Sequence, residues 1–446
     1  MSDAHARIDA WVDANFEAEV AFLQQLVRVP TDTPPGDNAP HAERTAELLA
    51  SFGFQAERHA VPRAEVEAQG MASITNLIVR RPYGTKGSGP TIALNAHGDV
   101  VPPGEGWSHD PYGGEIEGGL LEGRLYGRAS AVSKSDFASY TFAVLALESV
   151  ARESPGIALI GGVELHFTYD EEFGGELGPG WLLKHGLTKP DLLIAAGFSY
   201  QVVTAHNGCL QMEVTVHGRM AHAAIPASGI DALQGAVAIL NALYAENVKY
   251  RAVTSRVPGI THPYLNVGRI EGGTHTNVVP GKVVLKLDRR MIPEEDPVQV
   301  EAAVRAVIAQ AAASVPSITV DVRRLLLARA LEPLPGNAAL VAALQKNAEA
   351  VFGVAVPVTG TPLYTDVRLY GEAVFGEPIP TSGSPLYTDV RLYCEHGIPA
   401  AIYGAGPRTV LESNAKRADE HLDLTDLRRA TKVVARTLYD LLAPAA

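Results

Sequence analysis

The stretch "TIALNAHGDVV" at residues 91–101 decides the fold. It is patterned as a buried strand, and His97 and Asp99 follow its apolar run. "VELHFTYDEEFGG" (163–175) repeats the arrangement as an alternating strand that ends in acids and glycines. Helical spacing over residues 9–28 and 136–152 surrounds these strands. Strands alternating with helices predict an α/β domain with a mainly parallel sheet, and ligands of such sheets collect at the strands' carboxyl ends.

The pattern changes after residue 207. Between 207 and 321 the signals run strand, helix, strand, strand, helix, strand, which is typical of a ferredoxin-like α+β sandwich. Alternating α/β character then returns and ends in the helical segment "DLRRATKVVARTLYDLL". We therefore predict a discontinuous α/β domain, residues 1–206 and 322–446, with residues 207–321 inserted as a second domain.

A tandem duplication interrupts the last third of the chain. "AEAVFGVAVPVTGTPLYTDVRLY" is followed at once by "GEAVFGEPIPTSGSPLYTDVRLY", together residues 348–393. Two copies do not make a solenoid, which needs at least three stacked units. We interpret the 23-residue repeat as a local duplication, with one copy in the structural position and the other looped out or added as an extra strand and helix. A cloning or assembly artefact is the alternative.

Composition excludes several classes of partner. The 446 residues suggest two domains, and the net charge of −13 argues against nucleic acid or an anionic membrane. Cys209 and Cys394 are the two cysteines, too few for a disulfide framework or a cysteine-rich zinc site. No apolar run is long enough to span a membrane, and the acidic N-terminus is unlike a signal peptide. We expect a cytoplasmic protein.

Two short motifs carry candidate chemistry. His97 and Asp99 are two apart, so on a strand they face one side, and a carboxylate often holds the second ring nitrogen of a metal-binding histidine. Asp170, Glu171 and Glu172 can reach one site from a loop, where one acid could bind metal while another acts as general base. Taken singly, each motif has a plainer interpretation, a structural histidine or a solvated acidic turn.

The motifs in combination are more specific. "HGDVVPPGEGWSHDPY", "LEGRLYGR", "YDEEFGGE", "MAHAAIP", "YTDVRLYCEHGIPAAIYGAGP" and "ADEHLDL" occur in this order. This order resembles the family of di-zinc amidohydrolases and exopeptidases that includes acetylornithine deacetylase, succinyl-diaminopimelate desuccinylase, aminoacylase, carnosinase and carboxypeptidase G. The resemblance covers nearly the whole chain. It implies a zinc-exopeptidase-like catalytic domain, an inserted lid and dimerisation domain, and a homodimer.

The resemblance also implies roles for individual residues. His97 matches a zinc ligand that Asp99 orients, Glu172 matches another zinc ligand, and Glu171 matches the general base. His222 matches the lid histidine that stabilises the oxyanion in a neighbouring subunit's site.

Three more positions match substrate contacts, namely Asn277, Arg290 and Arg391. Arg391 resembles the arginine that binds a substrate carboxylate, because a Thr-Asp pair opening a helix with an arginine just inside makes a reasonable anion site. Arg368 in the first repeat has the same setting. We favour Arg391, whose copy runs directly into "GIPAAIYGAGP".

The chain departs from the family's metal ligands at three positions. Val132 stands where the family has a bridging aspartate, Phe198 where it has an acid, and Lys416 where it has a histidine. Valine and phenylalanine cannot coordinate a metal, and lysine brings positive charge to a cation's place. Two-metal sites need their bridge, and catalytic zinc usually has three protein ligands. We therefore expect no cofactor or at most one divalent metal.

Two arrangements could replace the two-metal centre. A single zinc could use His97, Glu172 and one of Asp136, His206 and Glu412, although an N-cap role for Asp136 is favoured. Without metal, the crowded carboxylates would raise one another's pKa values, and Lys134 and Lys416 would supply the positive charge.

Three functions are consistent with these residues. The first is hydrolysis of an N-acyl amino acid or small peptide that carries a carboxylate, with Glu171 as base. The second is a cofactor-independent lyase, racemase or isomerase in which Glu171 moves a proton. The third is a non-catalytic protein that binds a carboxylated metabolite.

Overall fold

A computed structural model describes residues 3–154, 156–332, 334–361, 388–409 and 411–443. The described residues form two compact units. The first comprises Met1–Thr204, Pro333–Thr359 and Thr388–Ala446, and the second is built on Ala205–Glu332. Arg368 and most of the repeat lie outside the described residues.

Ten helices lie in the described part of the chain: α1 (Asp3–Val27), α2 (Ala39–Ser51), α3 (Arg63–Ala68), α4 (Lys134–Glu153), α5 (Pro179–Lys184), α6 (Ala232–Tyr250), α7 (Pro297–Ala313), α8 (Ala338–Phe352), α9 (Val390–Glu395) and α10 (Leu424–Leu442). The long helices α1, α4 and α10 pack together over one large apolar core. No helix among the described residues is apolar over enough length to cross a membrane.

The strands over the same residues are β1 (Ala56–Ala60), β2 (Thr75–Tyr83), β3 (Thr91–His97), β4 (Glu115–Glu117), β5 (Arg124–Tyr126), β6 (Gly161–Thr168), β7 (Leu192–Ala195), β8 (Val202–His206), β9 (Gly208–His217), β10 (Ala221–His222), β11 (Tyr264–Gly272), β12 (Val278–Val279), β13 (Lys282–Met291), β14 (Thr319–Ala328), β15 (Val358–Thr361), β16 (Ala400–Ile402) and β17 (His421–Asp423).

The main sheet of the first unit has the order β1-β2-β6-β3-β7-β16-β8-β15. Its centre, β6-β3-β7-β16, is parallel, and antiparallel pairs flank it at β2–β6 and β16–β8. β3 and β6 are buried almost throughout, and the polar residues that alternate along β6, namely Glu164, His166 and Thr168, are buried as well. The predicted α/β class with a mainly parallel central sheet is confirmed.

The second unit is the predicted ferredoxin-like sandwich. Its four main strands follow the chain order β9, β11, β13, β14 and the spatial order β11-β13-β9-β14, all antiparallel. Helices α6 and α7 pack over one face and enclose a separate apolar core. The domain boundary stays a prediction, but β14 extends to Ala328, past residue 321. A bulge between Arg324 and Leu326 interrupts the alternation of side chains, so the sequence pattern does not reveal the second half of the strand.

Candidate active site

The two central strands bring the HGD and DEE motifs to the same edge of the sheet. His97 pairs in parallel register with Thr168, so the residues that follow both strands emerge together. Gly98 lies against Tyr169, and a Cβ at Gly98 would stand 2.4 Å from Cε1 of that ring. Glycine is therefore required where the two strand ends meet.

Asp99 holds the acidic turn in place. Its Oδ1 and Oδ2 accept hydrogen bonds from the backbone N–H groups of Glu171 (3.3 Å) and Glu172 (2.9 Å). Nδ1 of His97 lies 3.0 Å from the backbone oxygen of Asp99 and 3.5 Å from Oδ1. Asp99 is fully buried, so it fixes both His97 and the pair of glutamates.

His97 and Glu171 face each other, with 3.8 Å between Nε2 and Oε2. Burial lowers the pKa of His97, but the carboxylates of Glu171 and Asp99 outweigh it and raise that pKa to about 10. Burial raises the pKa of Glu171 to about 7, against the opposing charge of His97. A carboxylate with such a pKa can accept and return protons near neutral pH.

Lys416 contacts the other glutamate. Its Nζ lies 2.7 Å from Oε2 of Glu172, and the lysine side chain is 37% exposed against 10% for the glutamate. Burial alone would lower the pKa of Lys416, but Glu172 and Glu171 raise it, so the ammonium is retained. Lys134 behaves differently: it is fully buried, donates to the backbone oxygen of Val29 (2.9 Å), and burial lowers its pKa to about 7.

A buried ion pair between Arg128 and Glu420 anchors the loop that contains Lys416. Arg128 and Glu420 are 1% exposed and 2.5 Å apart. The carboxylate of Glu420 also accepts from the backbone N–H groups of Ala131 (3.3 Å) and Lys416 (3.2 Å). The motifs "LEGRLYGR" and "ADEHLDL" contain Arg128 and Glu420, but no role was predicted for these two residues from the sequence. The presence of both motifs in the family pattern was the signal that could have identified them.

The side chains at the three substituted positions do not fit a two-metal centre. Val132 and Phe198 offer no lone pair, and the ammonium of Lys416 offers none while it is protonated. In the described ranges, no three His, Cys, Asp or Glu side chains converge as metal ligands would. The side chains present form a cluster of carboxylates, Asp99, Glu171 and Glu172, together with the ammonium of Lys416.

Two of the three candidates for a rearranged zinc ligand, Asp136 and His206, have other partners. Helix α4 begins after Ser133, and the carboxylate of Asp136 accepts from the N–H of Ala405 (2.6 Å), so the N-cap prediction for Asp136 was wrong. His206 is buried with Nδ1 2.8 Å from the oxygen of Asn207. Glu412 is exposed, and its N–H donates to Thr409.

Asp389 is a further carboxylate that sequence reasoning missed. It is 5% exposed at the start of α9, and its Oδ2 lies 3.5 Å from Oγ1 of Thr168. Burial raises the pKa values of Asp389 and Asp170 well above the ordinary range, and like charges add to the shift. The expected like-charge contribution is present at Asp170 and Glu171, but desolvation is the larger cause of both pKa shifts.

Arg391 is almost fully buried in α9. Nη2 donates to the backbone oxygen of Gly174 (2.6 Å) and lies 3.4 Å from Glu176, and Nη1 lies 3.2 Å from Glu395. The Nε of Arg391 is buried without a hydrogen-bond partner among the described residues. The role of Arg391 as a carboxylate binder stays a prediction.

The three lid residues belong to the second unit. His222 lies in β10, which pairs with β12, and Asn277 directly precedes β12. The N–H of Ala223 donates to the backbone oxygen of Asn277 (2.9 Å). Nδ1 of His222 accepts from the N–H of Ala224 (3.0 Å), so a neutral His222 carries its proton on Nε2. Arg290 is held by Asp288 through Nε (2.6 Å) and Nη2 (3.1 Å).

Comparison with known proteins agrees with both units. Residues 204–316 match the family model of the M20 peptidase dimerisation domain. A succinyl-diaminopimelate desuccinylase of Rhodopseudomonas palustris is 30% identical over 291 residues, which are 62% of this chain and 69% of that protein.

Solved structures share the whole fold. The M20 family metallo-carboxypeptidase Sso-CP2 of Sulfolobus solfataricus has a TM-score of 0.70 at 17% identity, over 98% of this chain and 99% of that one. Bacillus subtilis YXEP, described as a dinuclear metal-binding peptidase of the M20 family, has a TM-score of 0.62 at 15% identity, over 96% and 99%. With the ordered motifs and the inserted dimerisation domain, these matches show that the chain belongs to the M20 family of hydrolases that act on amide and peptide bonds.

Proposed function

We propose that this protein hydrolyses the amide bond of an N-acyl amino acid or small peptide that carries a carboxylate. The observation that supports this most is Glu171, which Asp99 fixes by its backbone N–H and which faces His97 at the carboxyl ends of two parallel strands. The desuccinylase and carboxypeptidase relatives act on substrates of this kind by name.

Glu171 would act as general base. It takes a proton from water as the water oxygen attacks the amide carbon, and it returns that proton to the leaving nitrogen. By family resemblance, His222 would stabilise the oxyanion in a neighbouring subunit's site through its Nε2–H, the hydrogen left free when Nδ1 accepts from Ala224. Asn277, Arg290 and Arg391 are proposed substrate contacts by family resemblance.

We further propose that the reaction proceeds without the family's intact two-metal centre. His97 and Glu172 are the two family ligands that remain, and Glu172 is already paired with Lys416. The charge of Lys416 near Glu171 favours a second candidate, a lyase, racemase or isomerase that needs no cofactor. In such an enzyme Glu171 would remove a proton next to a substrate carboxylate, and the ammonium of Lys416 would stabilise the resulting anion.

A homodimer is proposed from the family model and from one surface. Helix α6 exposes an apolar row at intervals of four and seven residues, which we call the α6 stripe: Leu233 (43%), Val237 (46%), Tyr244 (49%) and Val248 (63%). Rows of this kind on a surface helix commonly mark a protein interface. A cytoplasmic location is also proposed, because Cys209 and Cys394 are both free thiols.

The test is release of a free amine from N-succinyl, N-acetyl and dipeptide substrates, followed by mass spectrometry. We expect turnover by the wild type and a loss of about 10²- to 10⁴-fold in kcat for Glu171→Gln, the usual contribution of a general base. Glu17→Gln, an exposed glutamate on α1, is the control. Deuterium incorporation or elimination without amine release would favour the second candidate, and tight binding without turnover would favour a metabolite-binding protein.

A further inference from the structure

We infer that the ammonium of Lys416 is the resident cation of this site, acting where the family uses a divalent metal, and that it binds the oxyanion of the reacting amide. The inference rests on the proposed function and specifies how that function works without a second metal. It follows from the disagreement between the family's donor set and the side chains of this chain.

The first argument is position. Nζ of Lys416 lies 2.7 Å from Glu172, one of the two retained family ligands. Glu172 is itself held by Asp99 through its backbone N–H, so the ammonium is tied to the same frame as Glu171 and His97. A lysine ammonium has three N–H donors, and the contact with Glu172 uses one of them.

The second argument is rigidity. Lys416 has a left-handed backbone conformation, φ +62°, and its N–H is bonded to the buried carboxylate of Glu420. Arg128 pairs with Glu420, and Asp419 accepts from the N–H and hydroxyl groups of Ser108 (2.8 and 2.7 Å). These contacts fix the backbone of the loop, while the Lys416 side chain itself is 37% exposed. With its backbone fixed and Nζ paired with Glu172, the ammonium is positioned before substrate arrives, which is what electrostatic stabilisation requires.

The third argument is the substitution pattern. Val132 and Phe198 remove two carboxylates, and Lys416 adds a positive charge. Together these changes reduce the negative charge around the site by two and supply one fixed cation, which suits an ammonium better than two divalent ions.

The step is balanced without a metal. Glu171 accepts a proton from water as the water oxygen bonds to the amide carbon. The carbonyl electron pair moves onto oxygen, where a free N–H of Lys416 donates to it. The C–N bond then breaks as the pair returns, and Glu171 passes its proton to the nitrogen. The products are a carboxylic acid and an amine.

Metal content is the first test, measured by elemental mass spectrometry on untagged protein after incubation with zinc and desalting. We expect fewer than about 0.1 zinc ions per chain, since two protein ligands fall short of a site, and a turnover unaffected by chelator. One or more zinc ions per chain, with activity lost to chelator, would overturn the inference.

Chemical rescue is the second test. Lys416→Ala should lose roughly 10²- to 10³-fold in kcat/KM, the loss expected for one oxyanion donor, and ethylammonium, but not ethanol, should restore at least about tenfold of it. Lys346→Ala, an exposed lysine paired with Asp440, should keep wild-type rates. Wild-type activity in Lys416→Ala, or a loss that ethylammonium does not relieve, would contradict the inference.

A third variant tests the inference by zinc binding, which does not depend on knowing the substrate. Val132→Asp, Phe198→Glu and Lys416→His together restore the family's donor types, and this variant should gain at least one zinc per chain. Lys416→His alone is the fallback if the triple variant does not fold. A folded triple variant that binds no more zinc than the wild type would overturn the inference. If no amide substrate is turned over, the proposed function fails, while the zinc measurements still decide whether Lys416 takes the place of the metal.

Discussion

Glu19 makes the stability of the first unit depend on pH. This glutamate is fully buried in α1, where its Oε1 accepts from the hydroxyl of Thr431 (2.6 Å) and its Oε2 is buried without a hydrogen-bond partner among the described residues. Burial raises the pKa of Glu19 from 4.5 to about 8. The folded chain therefore keeps a proton that the unfolded chain releases, and stability falls as pH rises from about 4.5 to 8.

The magnitude follows from the two pKa values. At about 1.4 kcal/mol per pH unit, the span from 4.5 to about 8 corresponds to about 5 kcal/mol. Glu19→Gln removes this loss but leaves a buried amide N–H₂ unpaired, at a cost of about 1–3 kcal/mol. We expect the variant to be more stable than the wild type by roughly 2–4 kcal/mol at pH 8.5, and less stable by roughly 1 kcal/mol at pH 5.

The assay is guanidinium unfolding at pH 5, 6.5 and 8.5, followed by tryptophan fluorescence. The three tryptophans, Trp11, Trp107 and Trp181, all belong to the first unit, so the signal reports that unit. Glu17→Gln on the exposed side of the same helix should change stability by less than about 0.5 kcal/mol at every pH. A stability difference between Glu19→Gln and the wild type that does not change with pH would refute the reasoning.

Three further outcomes are expected. Gly98→Ala should lower unfolding free energy by about 1–3 kcal/mol, because Tyr169 is held by His41 (2.8 Å) and cannot move away; unchanged thermal melting would contradict this. Glu420→Gln should cost about 3–5 kcal/mol in guanidinium unfolding by leaving Arg128 buried without its partner, whereas the exposed Glu153→Gln should cost little. Val237→Glu with Tyr244→Glu should give monomers in sedimentation, with Gln234→Glu as control, and dimers that persist would exclude the α6 stripe as the interface.

Sequence patterns predicted the features that depend on local periodicity. The buried strands β3 and β6, the helices α4 and α10, and the β-α-β-β-α-β order of the second unit all follow from spacing alone. The meeting of His97 with Glu171 also followed, because carboxyl ends of parallel strands share an edge. The family and its hydrolase class were confirmed on the same motifs.

Features that depend on burial and distant contacts were not predictable. In the sequence, Lys134 and Arg391 look like cations available to a substrate. In the structure both are buried and donate hydrogen bonds to backbone oxygens. Asp136 resembles a cap but accepts from Ala405, 269 positions away. No local pattern reports which of several carboxylates will be desolvated, so the shifts at Asp389 and Asp170 required the packed structure.

The attachment of Lys416 has a consequence for the order in which the enzyme matures. Glu172 and Lys416 are 244 positions apart, and Arg128 and Glu420 are 292 apart. During synthesis, β3, β6 and the acidic turn leave the ribosome long before the loop that supplies their cation. The inserted unit can fold as soon as its own strands are complete, while the first unit waits for the segment that follows Thr388. Nascent chains should therefore stay inactive until the loop with Lys416 and Glu420 has left the ribosome.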